Sequence, residues 1–138
     1  MESIYSISVT SEGGRNGHVR SIDGLIDEDV RLPKSQGGPD GPHLTPETFF
    51  AAGYSACFNS ALMYMIRLER AKTGPTIVTA EVSLLTDEGG GHKLAVKLSA
   101  QIPGIDKDAA EVLLHKAHAI CPYSKATRNN IEVTLEVI

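Results

Sequence analysis

Read from the N-terminus, the chain alternates before it clusters. Tyr5, Ile7 and Val9 alternate with serines, a period of two that predicts a half-buried strand. EGGRNGH follows, with Asn16-Gly17 as a hairpin turn signal, and Val19–Ile22 and Asp29–Leu32 read as further short strands. Residues 33–43, PKSQGGPDGPH, read as a long loop. The pattern then changes. Thr45 is placed as an N-cap, Pro46 at the first helical position and Glu47 at the positive helix end. From Phe49 to Ile66 the sequence is apolar nearly all round, which predicts a central buried helix ending near Gly74-Pro75. Two alternating runs, Val78–Leu84 and Leu94–Ile102, flank EGGGH and predict a hairpin with one wet face and one core face. A second helix is expected from an Asp106 N-cap to Ala119, with Ala110, Leu113, Leu114 and Ala117 as its core stripe. CPYSKATR reads as a short turn or helix, and Ile131–Val137 as a final strand. The expected class is α+β, an antiparallel sheet packed on two helices, in a single domain spanning 1–138.

Composition narrows the function. A chain of 138 residues, 41 % hydrophobic and 22 % charged, is an ordinary globular domain. Its net charge of −4 and lack of tryptophan disfavour nucleic acid and anionic membranes as partners. The first residues, MESIYSISVTSE, show no signal-peptide pattern, so the cytoplasm is the expected location. Two cysteines in a reducing compartment are inert core residues, a metal pair or a redox pair.

Local chemistry ranks the two cysteines. Pro122 puts Cys121 at the N-cap of the CPYSKATR segment, where the helix dipole favours a thiolate. Cys57 lies mid-helix, where burial raises a thiol pKa, and without an added cation it reads as an inert small hydrophobe. His115, His118 and Cys121 are spaced i, i+3, i+6, but no CxxC accompanies them. A solvated His115 and a hydrogen-bonded, partly buried His118 are the plainer reading. EGGRNG and EGGGH lack the strand-to-helix setting of a phosphate loop.

Three segments change that ranking. GGRNG (13–17), PETFFAAGYSACF (46–58) and AHAICPYSKATRNNIEVTL (117–135) resemble, in matching order and spacing, the organic hydroperoxide resistance branch of the osmotically inducible (OsmC) family. The resemblance implies an intertwined homodimer with a central buried helix and a thiol-dependent peroxidase acting on organic hydroperoxides. It implies no metal or cofactor, and an external dithiol as reductant, namely lipoyl groups on protein carriers. Carried over residue by residue, the peroxidatic cysteine falls on Cys57, the resolving cysteine on Cys121, the arginine of GGRDG-type motifs on Arg15 and the glutamate of NPEQLF-type motifs on Glu47. Thr45 stands where the family usually carries asparagine, and both are good N-caps.

The implied roles make physical sense. A buried mid-helix thiol becomes a thiolate when a cation is brought to it, and arginine stays protonated at any relevant pH. Glu47 and Cys57, ten residues apart, would stand about 15 Å apart along one helix. The expectation is therefore a site shared between subunits, with Cys57 and Cys121 from one chain and Glu47 and Arg15 from the other. The small residues Ala51, Ala52 and Gly53 would form the crossing point. Phe49, Phe50, Tyr54, Phe58, Met63 and Tyr123 are the candidate apolar lining, each with plain core packing as its alternative, and Tyr123, next to Cys121, is the one that core packing explains least. A non-catalytic thiol sensor or ligand-binding module on the same fold is the competing function.

Overall fold

In the computed structural model, which describes residues 1–138, the chain divides into two compact units, Met1–Phe49 and Phe50–Ile138. The first is an antiparallel meander of β1 (Val9–Glu12), β2 (Gly17–Ser21) and β3 (Asp27–Val30). The turn between β1 and β2 is a 3-10 turn over Gly14–Asn16. Gly13 (φ 82°) and Gly14 (φ 61°) enter it through left-handed backbone that a side chain would strain. A Cβ at Gly17 would collide with the Glu12 carbonyl, so only glycine closes this turn. That turn pairs Glu12 with His18 and so fixes the register. The strand expected at Tyr5–Val9 is displaced to Val9–Glu12 as a result. Tyr5 and Ile7 lie ahead of β1 and are exposed.

The register of β2 and β3 sets His18 opposite Asp29, and Arg20 opposite Asp27. His18 Nδ1 lies 2.7 Å from Asp29 Oδ1, and its Nε2 lies 2.5 Å from Asp27 Oδ1. Past β3, Leu44 returns to bridge Val30, and the Arg31 N–H donates to the Leu44 carbonyl at 3.0 Å. Residues 33–43 are thereby closed as a loop. Val30 is the one buried apolar residue of this unit; Ile4, Tyr5, Ile7, Val9, Ile22 and Leu25 are exposed.

The long helix α1 spans Pro46–Leu68, so its first turn belongs to the first unit and the rest to the second. Its start is capped reciprocally. The Thr48 N–H donates to Thr45 Oγ1 at 3.2 Å, and the Thr45 N–H donates to Thr48 Oγ1 at 3.1 Å. In the second unit β4 (Ile77–Thr86) and β5 (His92–Gln101) form the expected hairpin. Next come α2 (Lys107–Ile120), whose Asp106 cap accepts from the Ala109 N–H at 2.8 Å, and α3 (Pro122–Thr127). The last strand, β6 (Val133–Val137), pairs with β5 in parallel rather than antiparallel. Alternation carries no strand direction. A connection through two helices brings the chain back along the same direction, as parallel neighbours require. The α+β class holds, with two three-stranded sheets and three helices in place of one antiparallel sheet and two.

The core lies in the second unit. Tyr54, Phe58, Ala61, Leu62 and Met65 of α1 meet Val96, Leu98 and Ala100 of β5 and Ala110, Leu113, Leu114 and Ala117 of α2. Burying each large side chain contributes roughly 1.5–3 kcal/mol. By length and composition α1 could also cross a bilayer. Its five buried residues instead pack into this core.

The aspartates facing His18 raise its pKa above 6.5, Asp29 most, and His18 in turn lowers those of Asp27 and Asp29. A raised histidine pKa gives stability that is complete below the unfolded value and is lost as pH rises through the folded one. The depressed aspartates lose theirs as pH falls through their folded values. The His18 ring protons are expected to titrate in NMR with a midpoint above 6.5. In Asp29→Asn the midpoint should fall back toward that value. A wild-type midpoint at or below 6.5 contradicts the clamp.

Candidate active site

Cys57 and Cys121 meet in the second unit. Cys121 ends α2, donating its N–H to the Ala117 carbonyl at 2.9 Å, and stands as the N-cap of α3 with Pro122 at the first helical position. Its side chain does not cap that helix. The thiol turns instead to α1, and the two sulfurs lie 3.7 Å apart, unbonded. Cys121 is fully buried; Cys57 is half-buried. Cys57 thus keeps some solvent exposure that Cys121 lacks.

Burial pushes the Cys57 thiol up, the backbone N–H of Tyr123 directed at its sulfur pulls it down, and the neighbouring Cys121 raises it again. The start of α3, expected to act on Cys121, acts on Cys57 as well. The N–H that helps a thiolate here is offered to Cys57.

Arg15 and Glu47 form a second preformed group, in the first unit. The stiff glycine turn carries Arg15, and the first turn of α1 carries Glu47. Arg15 donates in fork geometry, from Nη1 to Oε2 at 2.9 Å and from Nη2 to Oε1 at 2.7 Å. The hydrogen-bonded Glu47 raises the Arg15 pKa further, and Arg15 holds the Glu47 carboxyl below its usual range. The pair is a fixed guanidinium whose remaining donors are free to face an anion.

The expected lining divides. Tyr54 and Phe58 have no exposed surface and are core residues, so they cannot touch a substrate in this structure. Phe50 is half-buried, with its ring centroid 6.2 Å from that of Tyr54. Phe49 is also half-buried. Met63 is exposed and lines a separate hollow of about 360 Å³ with Ile66, Arg67 and Thr73–Thr76. Tyr123 is 40 % exposed beside the cysteines, and of the six it best fits a lining role. Its ring lies over Gly53, where a Cβ would come within 2.7 Å of the Tyr123 hydroxyl oxygen. The small face at Gly53, expected as a helix crossing point, is therefore taken by this chain's own tyrosine.

Sequence reading missed the polar group behind the cysteines. The Tyr54 hydroxyl lies 2.8 Å from Ser124 Oγ and 3.1 Å from Thr127 Oγ1, and His118 Nδ1 lies 2.7 Å from the same Ser124 Oγ. His118 is partly buried and hydrogen-bonded, as its plainer reading had it. Burial, then Arg128 and His115, lower its pKa, which favours neutral imidazole. The only advance signal was Ser124 and Thr127 at i, i+3 on a short helix.

Known proteins share both sequence and fold. The family model described as OsmC-like protein matches residues 37–136. The organic hydroperoxide resistance protein OhrA of Bacillus subtilis is 48 % identical, covering 97 % of this chain and 96 % of its own. The crystal structure of an organic hydroperoxide resistance protein from Elizabethkingia anophelis, with thiocyanate bound, superposes with a TM-score of 0.93 at 51 % identity, covering 99 % of this chain and 98 % of that one. That of OhrB from Bacillus subtilis gives 0.89 at 38 %, covering 99 % and 100 %. On the strength of the family match and of relatives this similar over nearly their whole length, the chain belongs to the OsmC family.

Proposed function

We propose that this protein is a thiol-dependent peroxidase that reduces organic hydroperoxides, with Cys57 as peroxidatic and Cys121 as resolving cysteine. The 3.7 Å approach of a half-buried thiol to a fully buried one carries the reading. The names of its relatives, organic hydroperoxide resistance proteins, agree with it.

In the first step Cys57 thiolate attacks the distal oxygen of ROOH. The O–O bond breaks, two electrons pass from sulfur to the peroxide, and the departing alkoxide takes a proton to leave as ROH. Cys57 becomes a sulfenic acid. Arg15 holds the thiolate and donates to the peroxide oxygens as charge develops. Glu47 orients Arg15. In the second step Cys121 sulfur attacks the sulfenic sulfur, water leaves, and a Cys57–Cys121 disulfide forms. An external dithiol, the lipoyl group of a carrier protein, then exchanges with that bond and restores both thiols. Tyr123, with Phe49 and Phe50, favours an alkyl or fatty-acid chain over hydrogen peroxide.

The working unit is a homodimer in which one chain's cysteines meet the Arg15–Glu47 pair of a second copy. Support comes from the first unit, whose three-stranded sheet buries one apolar side chain and leaves Ile4, Tyr5, Ile7, Val9, Ile22 and Leu25 exposed. A small sheet needs more cover than that to be stable. A second copy supplies it.

Steady-state turnover of tert-butyl hydroperoxide with dihydrolipoamide tests the activity. Cys57→Ser should abolish turnover. Cys121→Ser should allow one oxidation and then stall. Full activity in Cys57→Ser would hand the nucleophile role to Cys121, and absence of turnover in the wild type would favour a sensor. In Arg15→Gln, the pH midpoint for alkylation of Cys57 should rise by about one unit or more, equivalent to roughly 1.4 kcal/mol of lost thiolate stabilisation. An unchanged midpoint removes Arg15 from the site. Equal mixing of inactive Cys57→Ser and Arg15→Gln chains, unfolded and refolded together, should restore about a quarter of wild-type activity by random pairing. No recovery means that one chain supplies the whole site.

A further inference from the structure

We propose that Tyr54 and Ser124 are positioning residues for disulfide closure, the hydrogen bond between them serving as the strut that holds Cys121 against Cys57. The proposal rests on the peroxidase reading above, and it concerns the second chemical step alone.

The geometry is one of parallel offsets. Tyr54 lies three residues before Cys57 on α1, and Ser124 three residues after Cys121 at the start of α3. Two contacts therefore join these helices about one turn apart. One is the pair of hydroxyl oxygens at 2.8 Å and the other is the pair of sulfurs at 3.7 Å. Whatever fixes the first distance fixes the second.

α3 needs such a device. It has six residues and no side-chain cap, and a helix that short has no stability of its own. Its place depends on what grips it. An apolar contact tolerates sliding, whereas a hydrogen bond weakens steeply once its angle and distance are lost. Ser124 Oγ is gripped from two sides, by Tyr54 of α1 and by His118 of α2, so three helices meet at one oxygen. Tyr54 and Ser124 have no exposed surface, and Thr127 very little. No buried side-chain nitrogen or oxygen lacks a partner. Phenylalanine and alanine would fill the same space, and replacing both partners of a buried hydrogen bond by apolar groups is often close to neutral for stability. Polar groups placed here thus do little for stability that packing could not, and they add direction.

The same chemistry provides variants that keep their fold. In Tyr54→Phe, Ser124 Oγ retains His118. In Ser124→Ala, the Tyr54 hydroxyl retains Thr127 at 3.1 Å. Tyr54→Phe strands no buried polar atom, since Thr127 Oγ1 also donates to the Ser124 carbonyl at 3.2 Å, whereas Ser124→Ala also takes from the partly buried His118 Nδ1 its Ser124 partner. Thr127→Val is the control, because it removes a buried hydroxyl of the same network while sparing the Tyr54–Ser124 bond.

Reduced full-length protein, mixed rapidly with tert-butyl hydroperoxide, quenched with alkylating reagent and read by mass spectrometry, separates Cys57 sulfenic acid, the Cys57–Cys121 disulfide and Cys57 sulfinic acid. Sulfenic acid should form within about twofold of the wild-type rate in every variant. Disulfide closure should slow by about fivefold to tenfold in Tyr54→Phe and in Ser124→Ala, the scale of one hydrogen bond. The double variant should be no slower than the slower single one, because the two residues act as one strut. Sulfinic acid should accumulate in these variants as hydroperoxide is raised, and Thr127→Val should partition as the wild type does. Closure at the wild-type rate in Tyr54→Phe and Ser124→Ala overturns the strut, whatever happens to their melting temperatures. Equal slowing in Thr127→Val overturns it too, since that is the mark of general core damage. A wild type that forms no disulfide overturns the peroxidase reading and this inference with it.

Discussion

Two thiols held 3.7 Å apart across the contact of α1 with α3 set the terms for the rest of the second unit. Neither helix could present its cysteine usefully alone. α1 is long and buried, so its mid-helix thiol gains little from its own dipole, and burial pushes that thiol up. α3 is too short to stand without support, yet its start places Cys121 at the N-cap and directs the Tyr123 N–H at the Cys57 sulfur. The core beneath them, built from Leu62, Leu98 and Leu114 among others, is the platform that keeps the two helices in register. In the first unit, the Arg15–Glu47 fork is a cation fixed in direction.

Much of this was legible in the chain. Thr45-Pro46 and Asp106 mark the helix starts with side-chain chemistry that survives any context, and both caps are made. The period of two in β4 and β5 needs only a core face and a wet face, and both strands form as read. Where the reading slipped, long-range constraints decided. Alternation at Tyr5, Ile7 and Val9 pointed to a strand, but the glycine turn chose the residues beside it, Val9–Glu12. β6 alternates as expected, and only the crossover through α2 and α3 makes it parallel to β5.

The site was legible in a different way. Spacing alone made Cys57 the duller cysteine, and only the combined motifs around Arg15, Glu47, Cys57 and Cys121 reversed that order. No local pattern announces that two sulfurs separated by 64 residues meet. A tyrosine inside an apolar helix reads as core, which Tyr54 is, and nothing nearby in sequence says that its hydroxyl reaches Ser124. Aromatic lining was the weakest reading for the same reason. Burial is a property of the fold, so only the position of Tyr123 beside Cys121 set it apart in advance, and nothing separated the fully buried Tyr54 and Phe58 from the half-buried Phe49 and Phe50.

The central claim is that the thiol pair is a working redox couple within one chain. Peptide mapping of reduced protein after one equivalent of cumene hydroperoxide tests it most directly. The account predicts loss of both thiols and a single cross-linked peptide joining Cys57 to Cys121 of the same chain. Oxidised Cys57 with Cys121 still free to be alkylated, or a link only between chains, would contradict it.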